Sequence, residues 1–236
     1  MISCRAAYPQ RGSNEEGGSQ HENPLLLVGG ATQTVRRYAG HPNLGRLTQP
    51  RSGNSIEELA NCGLLWGADN DALAGLDADR YLAMLDQIAQ HDTSRLLFVT
   101  APDAATMTPS GPVVSWEGTL WLWRSWRSAL LRRNVPLAIV LQDGATAESV
   151  PWDDIAAVFL GGSTAYKESK TAIALVSEAK RRGRWRHVGR INTQRRERLL
   201  WPHCESFDGG QYSTWPDTHI PPCLARLEVR QHALDL

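Results

Sequence analysis

Five short apolar runs punctuate the chain, and each stops at a polar or glycine signature: LLWGADND (64–71), LLFVTAPD (96–103), LAIVLQDG (137–144), AVFLGGST (157–164) and CESFDGG (204–210). Short apolar runs bounded by turn residues read as strands buried on both faces of a parallel sheet. LLLVGG (25–30) and WRHVGRI (185–191) extend the series, giving about seven strands. Segments with a helical period lie between them. In LDADRYLAMLDQIAQH, Asp77 is placed to cap a helix whose apolar stripe is Tyr81, Leu82, Leu85, Ile88 and Ala89. Further helices are predicted from Trp116 to Arg133 and from a cap at Ser163 or Thr164 to Arg182, the latter with Ile173, Val176 and Ala179 on one face. Ser55–Asn61 and Thr193–Trp201 read as short helices. Residues 31–54 and the stretch after Pro102 read as loops, and the C-terminal 25 residues carry several prolines and no clear period.

Strands that alternate with helices imply a parallel sheet. No GxGxxG or GxxxxGK[ST] loop is present to mark a nucleotide-binding open sheet. The expected fold is therefore α/β, a (β/α)8 barrel of TIM type, shortened or irregular, spanning 24–236 behind a disordered polar tail at 1–23. The C-terminal strand ends of such a barrel converge on one pocket. Asp69, Asp103, Gln142, Gly161, Gly162 and Asp208 all fall at such ends and become candidates for a single site. Asp71 and Asp143 sit beside them as alternatives, and His187, inside a strand, reads as a packed or hydrogen-bonded histidine. Lys167 and Glu168 read as ordinary first-turn helix residues.

Composition changes this picture little and charge distribution more. No apolar run approaches the roughly 20 residues that span a bilayer. The four cysteines (Cys4, Cys62, Cys204, Cys223) form no close pair, which points to a reducing compartment and a cytoplasmic location. The formal charge is zero, yet nine Lys or Arg and one acid lie between Lys180 and Arg198. A second basic stretch, WLWRSWRSALLRR (121–133), interleaves arginines with tryptophans. Basic clusters with aromatics suit phosphate contact and base stacking, so Arg181, Arg182, Arg184, Arg190, Arg195 and Arg196 are candidate nucleic-acid contacts. The alternative is an ordinary solvated helix face.

The order of the strand-end signatures resembles the tRNA-guanine transglycosylase superfamily. ADND stands where that family carries a DSGG-type motif, TAPD where an aspartate reads the incoming base, LQDG where a QG motif follows, and GG at 161–162 where the backbone contacts the base. HVGRI resembles the family's short glycine strand, and FDG its FDC nucleophile motif. The resemblance runs from Leu64 to Gly210. The family's CxCxxC zinc cluster is missing, and the chain is shorter than the tRNA enzymes, so it looks most like the zinc-less deazapurine DNA-modification branch of phages and bacteria. His203, Cys204, His219 and Cys223 fit no standard zinc spacing.

That resemblance implies a pentosyltransferase that exchanges guanine in DNA for a 7-deazaguanine such as preQ0, without metal or cofactor. Asp208 would be the nucleophile of a covalent glycosyl-aspartate and Asp69 the general base. Asn70, Asp103, Gln142, Gly144, Gly161, Gly162 and Gly189 would hold the base. The implied partners are DNA, or tRNA if the enzyme is of the queuine type, with helper proteins or a second copy of the chain, in the cytoplasm or in a phage host's cytoplasm, with no membrane. A non-catalytic nucleic-acid-binding barrel is the reading from another class, and a nucleoside or base hydrolase is the third.

Overall fold

The computed structural model describes residues 23–30 and 32–234. Eight parallel strands close into a barrel. They are β1 (Leu25–Gly29), β2 (Leu44–Thr48), β3 (Trp66–Ala68), β4 (Leu96–Thr100), β7 (Leu137–Leu141), β8 (Ala157–Leu160), β9 (Trp185–Val188) and β10 (Ser206–Phe207), and they follow one another around the wall in chain order before β10 pairs with β1. The expected (β/α)8 barrel is thus the observed fold. β5 (Ala104–Thr108) and β6 (Gly111–Ser115) form an antiparallel hairpin outside it.

Helices follow most barrel strands: α1 (Gln33–Arg37), α2 (Ile56–Asn61), α3 (Ala78–Ile88), α4 (Trp116–Leu131), α5 (Thr164–Lys167), α6 (Lys170–Arg181), α7 (Gln194–Leu200), α8 (Gly210–Thr214) and α9 (Pro216–Leu234). Most start at a side-chain cap. Asp77 accepts from the Arg80 N–H, Ser55 from Glu58, Ser163 from Tyr166 and Thr193 from Arg196, the position where a short oxygen-bearing side chain satisfies an orphan backbone donor. The connection from β7 to β8 has no helix, and buried Val150 and Trp152 pack there instead. The expected single helix from 163 to 182 is two, because Ser169 starts a new cap by accepting from the Ala172 N–H.

The strands are buried on both faces. In β1, Leu25 and Leu27 point into the barrel and join Leu97, Phe98, Ala138, Val140, Ala157 and Phe159. Leu26 and Val28 point outward and pack with the helices in a much larger cluster. The inner cluster plugs the barrel below the strand ends, so any space for a ligand lies above it.

Several expectations are corrected. The loop expected over 31–54 contains α1 and β2; in β2 the sequence LGRLT places Gly45 and Arg46 in an apolar run, and this hid the strand. The loop expected after Pro102 is the hairpin, whose alternation is masked because Met107 and Val113 are exposed. The C-terminal residues are largely helical despite Pro221 and Pro222. Residues 1–22 of the expected tail lie outside the described residues, whereas Asn23 is buried and its side-chain amide donates to the Leu227 carbonyl of α9. Among the described residues no helix is long and apolar enough to cross a membrane.

Candidate active site at the barrel mouth

A cavity of about 520 Å³ opens at the C-terminal end of the barrel. Asp69 and Asn70 reach it from β3, Asp103 from β4, Gln142 from β7, Gly161 and Gly162 from β8, Arg190 from β9 and Asp208 from β10. Seven of the nine expected catalytic and substrate-binding residues therefore meet in one space. Gly144 and Gly189 do not line it. Gly189 serves packing: a Cβ there would fall 2.4 Å from the Phe159 ring. Gly144 turns the chain after β7 with φ +94°.

Asp69 lines the cavity, half-buried, and accepts a hydrogen bond from the Asn70 N–H at 2.9 Å. Burial first, then the Asp103 and Asp208 carboxyls, push its pKa up to about 7. Loss of water and the nearness of like charges both disfavour a carboxylate's charged form. Asp103 is also buried and is pushed up to about 6 by desolvation, with the Asn70 hydrogen bond and the Arg190 charge pulling it back.

Asp103 is the hub of a buried amide network. The Asn70 side-chain nitrogen donates to Asp103 Oδ1 at 2.7 Å and to the Ala101 carbonyl at 2.6 Å, while its oxygen accepts from the Ala72 N–H at 2.8 Å. Every group of Asn70 is thus used to hold Asp103 and the strand end. Gln142 donates from its amide nitrogen to Asp103 Oδ2. Its oxygen is buried at the cavity wall with no hydrogen-bond partner among the described residues. A buried acceptor without a donor costs free energy, and a ligand bearing an N–H or O–H would relieve it.

Asp208 is held from two sides. Its Oδ1 accepts from the Arg190 N–H at 3.1 Å, and its Oδ2 is 2.9 Å from His187 Nε2. Arg190 adopts φ +61°, a left-handed backbone conformation that costs a non-glycine residue energy. That conformation turns its N–H to Asp208 and lets its guanidinium donate to the Gly162 carbonyl at 2.5 Å. Lys167, behind the wall, is buried and donates to the Gly189 carbonyl at 2.8 Å. Burial and neighbouring Arg190 lower its pKa to about 7, although Asp208 opposes them.

The alternatives Asp71 and Asp143 are committed elsewhere. Asp143 accepts from the Ser163 N–H and hydroxyl at 2.7 and 2.6 Å, and Asp71 accepts from Arg51 at 2.7 Å.

The six expected nucleic-acid arginines do not form one surface. Arg181, Arg182 and Arg184 end α6 and precede β9, which puts them at the end of the barrel away from the mouth. Arg181 and Arg182 pair with Glu178, and Arg182 lies over the Trp152 ring. Arg190, Arg195 and Arg196 follow β9 at the mouth end, where Arg195 and Arg196 pair with Glu168. The sequence places the six within 16 positions, but a strand runs between the two groups.

The pocket wall also holds residues that sequence reasoning missed. Ala105 and Val114 come from the hairpin, Ser52 and Asn54 from the β2–α2 loop, and Ser213 and Thr214 from α8. None carries a local signature beyond residue type: the hairpin and α8 are elements the apolar pattern did not reveal, and Ser52 and Asn54 sit at the end of the expected 31–54 loop, where nothing in the sequence marks them as facing the site.

No family model matches the chain, and no curated protein does. Solved structures resemble its fold. A mandelate oxidase has a TM-score of 0.53 at 13% identity, covering 89% of this chain and 74% of its own. The 3-keto-L-gulonate-6-phosphate decarboxylase of Vibrio cholerae O1 biovar El Tor has 0.51 at 8%, covering 88% and 98%. Tryptophan synthase from M. tuberculosis has 0.50 at 12%, covering 88% and 90%. At such identities the likeness concerns the barrel alone.

These findings overturn the transglycosylase expectation. The similar barrels belong to other enzyme families, and neither a family model nor a curated protein ties the chain to guanine exchange. With it fall the pentosyltransferase activity, on DNA or tRNA, and the phage-type DNA modification. The physical reason is that two- to four-residue strand-end motifs are what a barrel of this kind needs anyway. Glycines turn the chain or clear a neighbour's ring, as at Gly144 and Gly189, and aspartates staple turns, as at Asp143.

Proposed function

We propose that this chain is an enzyme that moves a proton on a small polar molecule held in the mouth cavity, with Asp69 as the group that gives and takes the proton. The observation that carries the reading is Asp69 itself, a carboxyl that lines a concave site and is held near a pKa of about 7 by desolvation and by Asp103 and Asp208. A general acid–base works best when its pKa lies near the working pH, and perturbed carboxyls cluster at functional sites. The location agrees with the rule that barrel enzymes work at the C-terminal strand ends.

The remaining residues take complementary roles. The Asp103–Asn70–Gln142 network faces a substrate edge rich in hydrogen-bond donors, because Asp103 and the unpartnered Gln142 oxygen both accept. Asp208, oriented by two contacts, stabilises positive charge or accepts a second proton. The Arg190 guanidinium adds a positive charge at the β9 side of the cavity.

A screen of small polar metabolites by ligand-observed NMR, run with wild type and Asp69→Asn, tests this. Compounds that bind both proteins and are converted only by wild type support the reading. Conversion by Asp69→Asn at the wild-type rate, or no compound displaced by substitution of Asp103, defeats it.

A further inference from the structure

We infer that His187 is the positioning residue of Asp208, locked as the Nε2–H tautomer by a hydrogen-bonded chain that begins at Trp185. This rests on the assignment of chemistry to the mouth cavity.

His187 is fully buried in the barrel interior, with its ring 4.8 Å from that of Phe98 and 4.5 Å from that of Phe159. An imidazole among aromatic rings has no water to satisfy it, so the partners of its two nitrogens are decisive. Nδ1 lies 2.9 Å from Ser206 Oγ and Nε2 lies 2.9 Å from Asp208 Oδ2.

Donor accounting settles the direction. An indole N–H can only donate, and Trp185 Nε1 donates to Ser206 Oγ at 2.8 Å. The Ser206 hydroxyl, with an acceptor position already taken by the indole, has its one proton to give and gives it to His187 Nδ1. In the neutral ring the proton then sits on Nε2 and points at Asp208. Each proton along Trp185–Ser206–His187–Asp208 is used once, and the chain ends on a carboxylate that lines the cavity. The opposite tautomer would leave Ser206 with a hydroxyl proton and no acceptor among the described residues, and would set the Nε2 lone pair against the carboxylate.

The consequence is orientation. His187 holds Oδ2 from inside the barrel while the Arg190 N–H holds Oδ1 from the rim. Two donors on different atoms stop the carboxylate rotating and leave its free lone pairs toward the cavity. A third group that orients the reacting one is a recurring design in acid–base and nucleophilic sites. Here it is buried below the site, and a tightly packed ring cage keeps it in place.

The test uses the full chain labelled with ¹⁵N-histidine. Long-range ¹H–¹⁵N spectra at neutral pH are expected to show His187 with a protonated Nε2 and an unprotonated Nδ1, and Ser206→Ala is expected to release that preference. A proton on Nδ1 in wild type overturns the proposal, whether or not a substrate is known. The second arm is kinetic, on the substrate found by the screen. His187→Phe, which keeps the ring and loses the donor, should lower kcat by ~10–100-fold with KM changed by less than ~3-fold, as expected for one lost hydrogen bond to a charged group. His187→Gln, which can still present an N–H to Asp208, should recover most of the loss. Wild-type kcat in His187→Phe also overturns the proposal. If no substrate is turned over by wild type, the functional reading has failed by itself and the spectrum still decides His187; if His187→Phe does not fold, the wild-type spectrum and His187→Gln decide it.

Discussion

Asp69 and Asp143 look alike along the chain. Each follows an apolar strand, sits beside a small or polar neighbour and precedes a turn. In the folded barrel they differ. Asp143 gives both oxygens to Ser163 and ties the β7 end to the start of α5. Asp69 accepts one backbone hydrogen bond and otherwise faces the cavity and two other carboxyls. A carboxylate satisfied by donors stabilises the fold; one left among like charges stores strain and is available for chemistry. The β7–β8 side of the mouth is thus a stapled turn and the β3–β4 side a reactive wall.

The largest effect that would break this comparison is on turnover. Asp69→Asn should reduce kcat on the screened substrate by ~10²–10⁴-fold, the usual contribution of a general acid–base. Its melting temperature should hold or rise, because a desolvated carboxyl has been removed. An Asp69→Asn protein with wild-type turnover would make Asp69 a turn residue like Asp143.

Next is the turn itself. Asp143→Ala should cost about 2 kcal/mol in chemical denaturation, through two lost charge-assisted hydrogen bonds. Its turnover should fall far less than that of Asp69→Asn. Equal catalytic losses in the two variants would erase the distinction.

The pH dependence sharpens it further. Asp69 is raised in the fold from 3.8 to about 7, and Asp103 from 3.8 to about 6. Between the unfolded and folded values the native state binds more protons than the unfolded chain, so stability falls as pH rises. Full stability from this source is present below about pH 4, and it is lost progressively up to about pH 7. Urea denaturation at pH 5 and pH 8 should show the protein weaker at pH 8, with the difference reduced in Asp69→Asn and unchanged in Asp143→Ala.

The smallest effect is at the rim. Arg195 is largely exposed and pairs with Glu168. Arg195→Ala should change stability by less than about 1 kcal/mol, since surface ion pairs contribute little. A large loss would mean that the mouth depends on its charged edge as well as on its carboxyl wall.

Much of the barrel was legible in the sequence. LLFVT, LAIVL and AVFL are strands because short β-rich apolar runs between turn residues have few other ways to bury both faces. Asp77 caps its helix as expected, and of the two candidates Ser163 and Thr164 it is Ser163 that caps α5, while Ser55 and Thr193, read only as the starts of short helices, also cap theirs. The hidden elements are those whose local pattern is broken. LGRLT carries a glycine and an arginine, and the hairpin exposes its apolar side chains.

The candidate site was legible as a set and not as roles. Strand ends are periodic features, so the chain itself indicates that Asp69, Asp103, Gln142, Gly161, Gly162 and Asp208 share one face, with Asn70 beside Asp69. What each does depends on groups distant in sequence. Asp103 belongs to the pocket through Asn70 and Gln142, 33 and 39 positions away. Asp208 is oriented by His187, a residue that reads as core along the chain and lies 21 positions from it. The arginines of 180–198 are one cluster in sequence and two in space, because β9 carries the chain from one end of the barrel to the other. Hydrophobic period determines which residues are buried and in what order the strands run. Only closure of the barrel decides which polar groups meet, because hydrogen bonds and charge interactions act over a few ångströms and local sequence does not encode those distances.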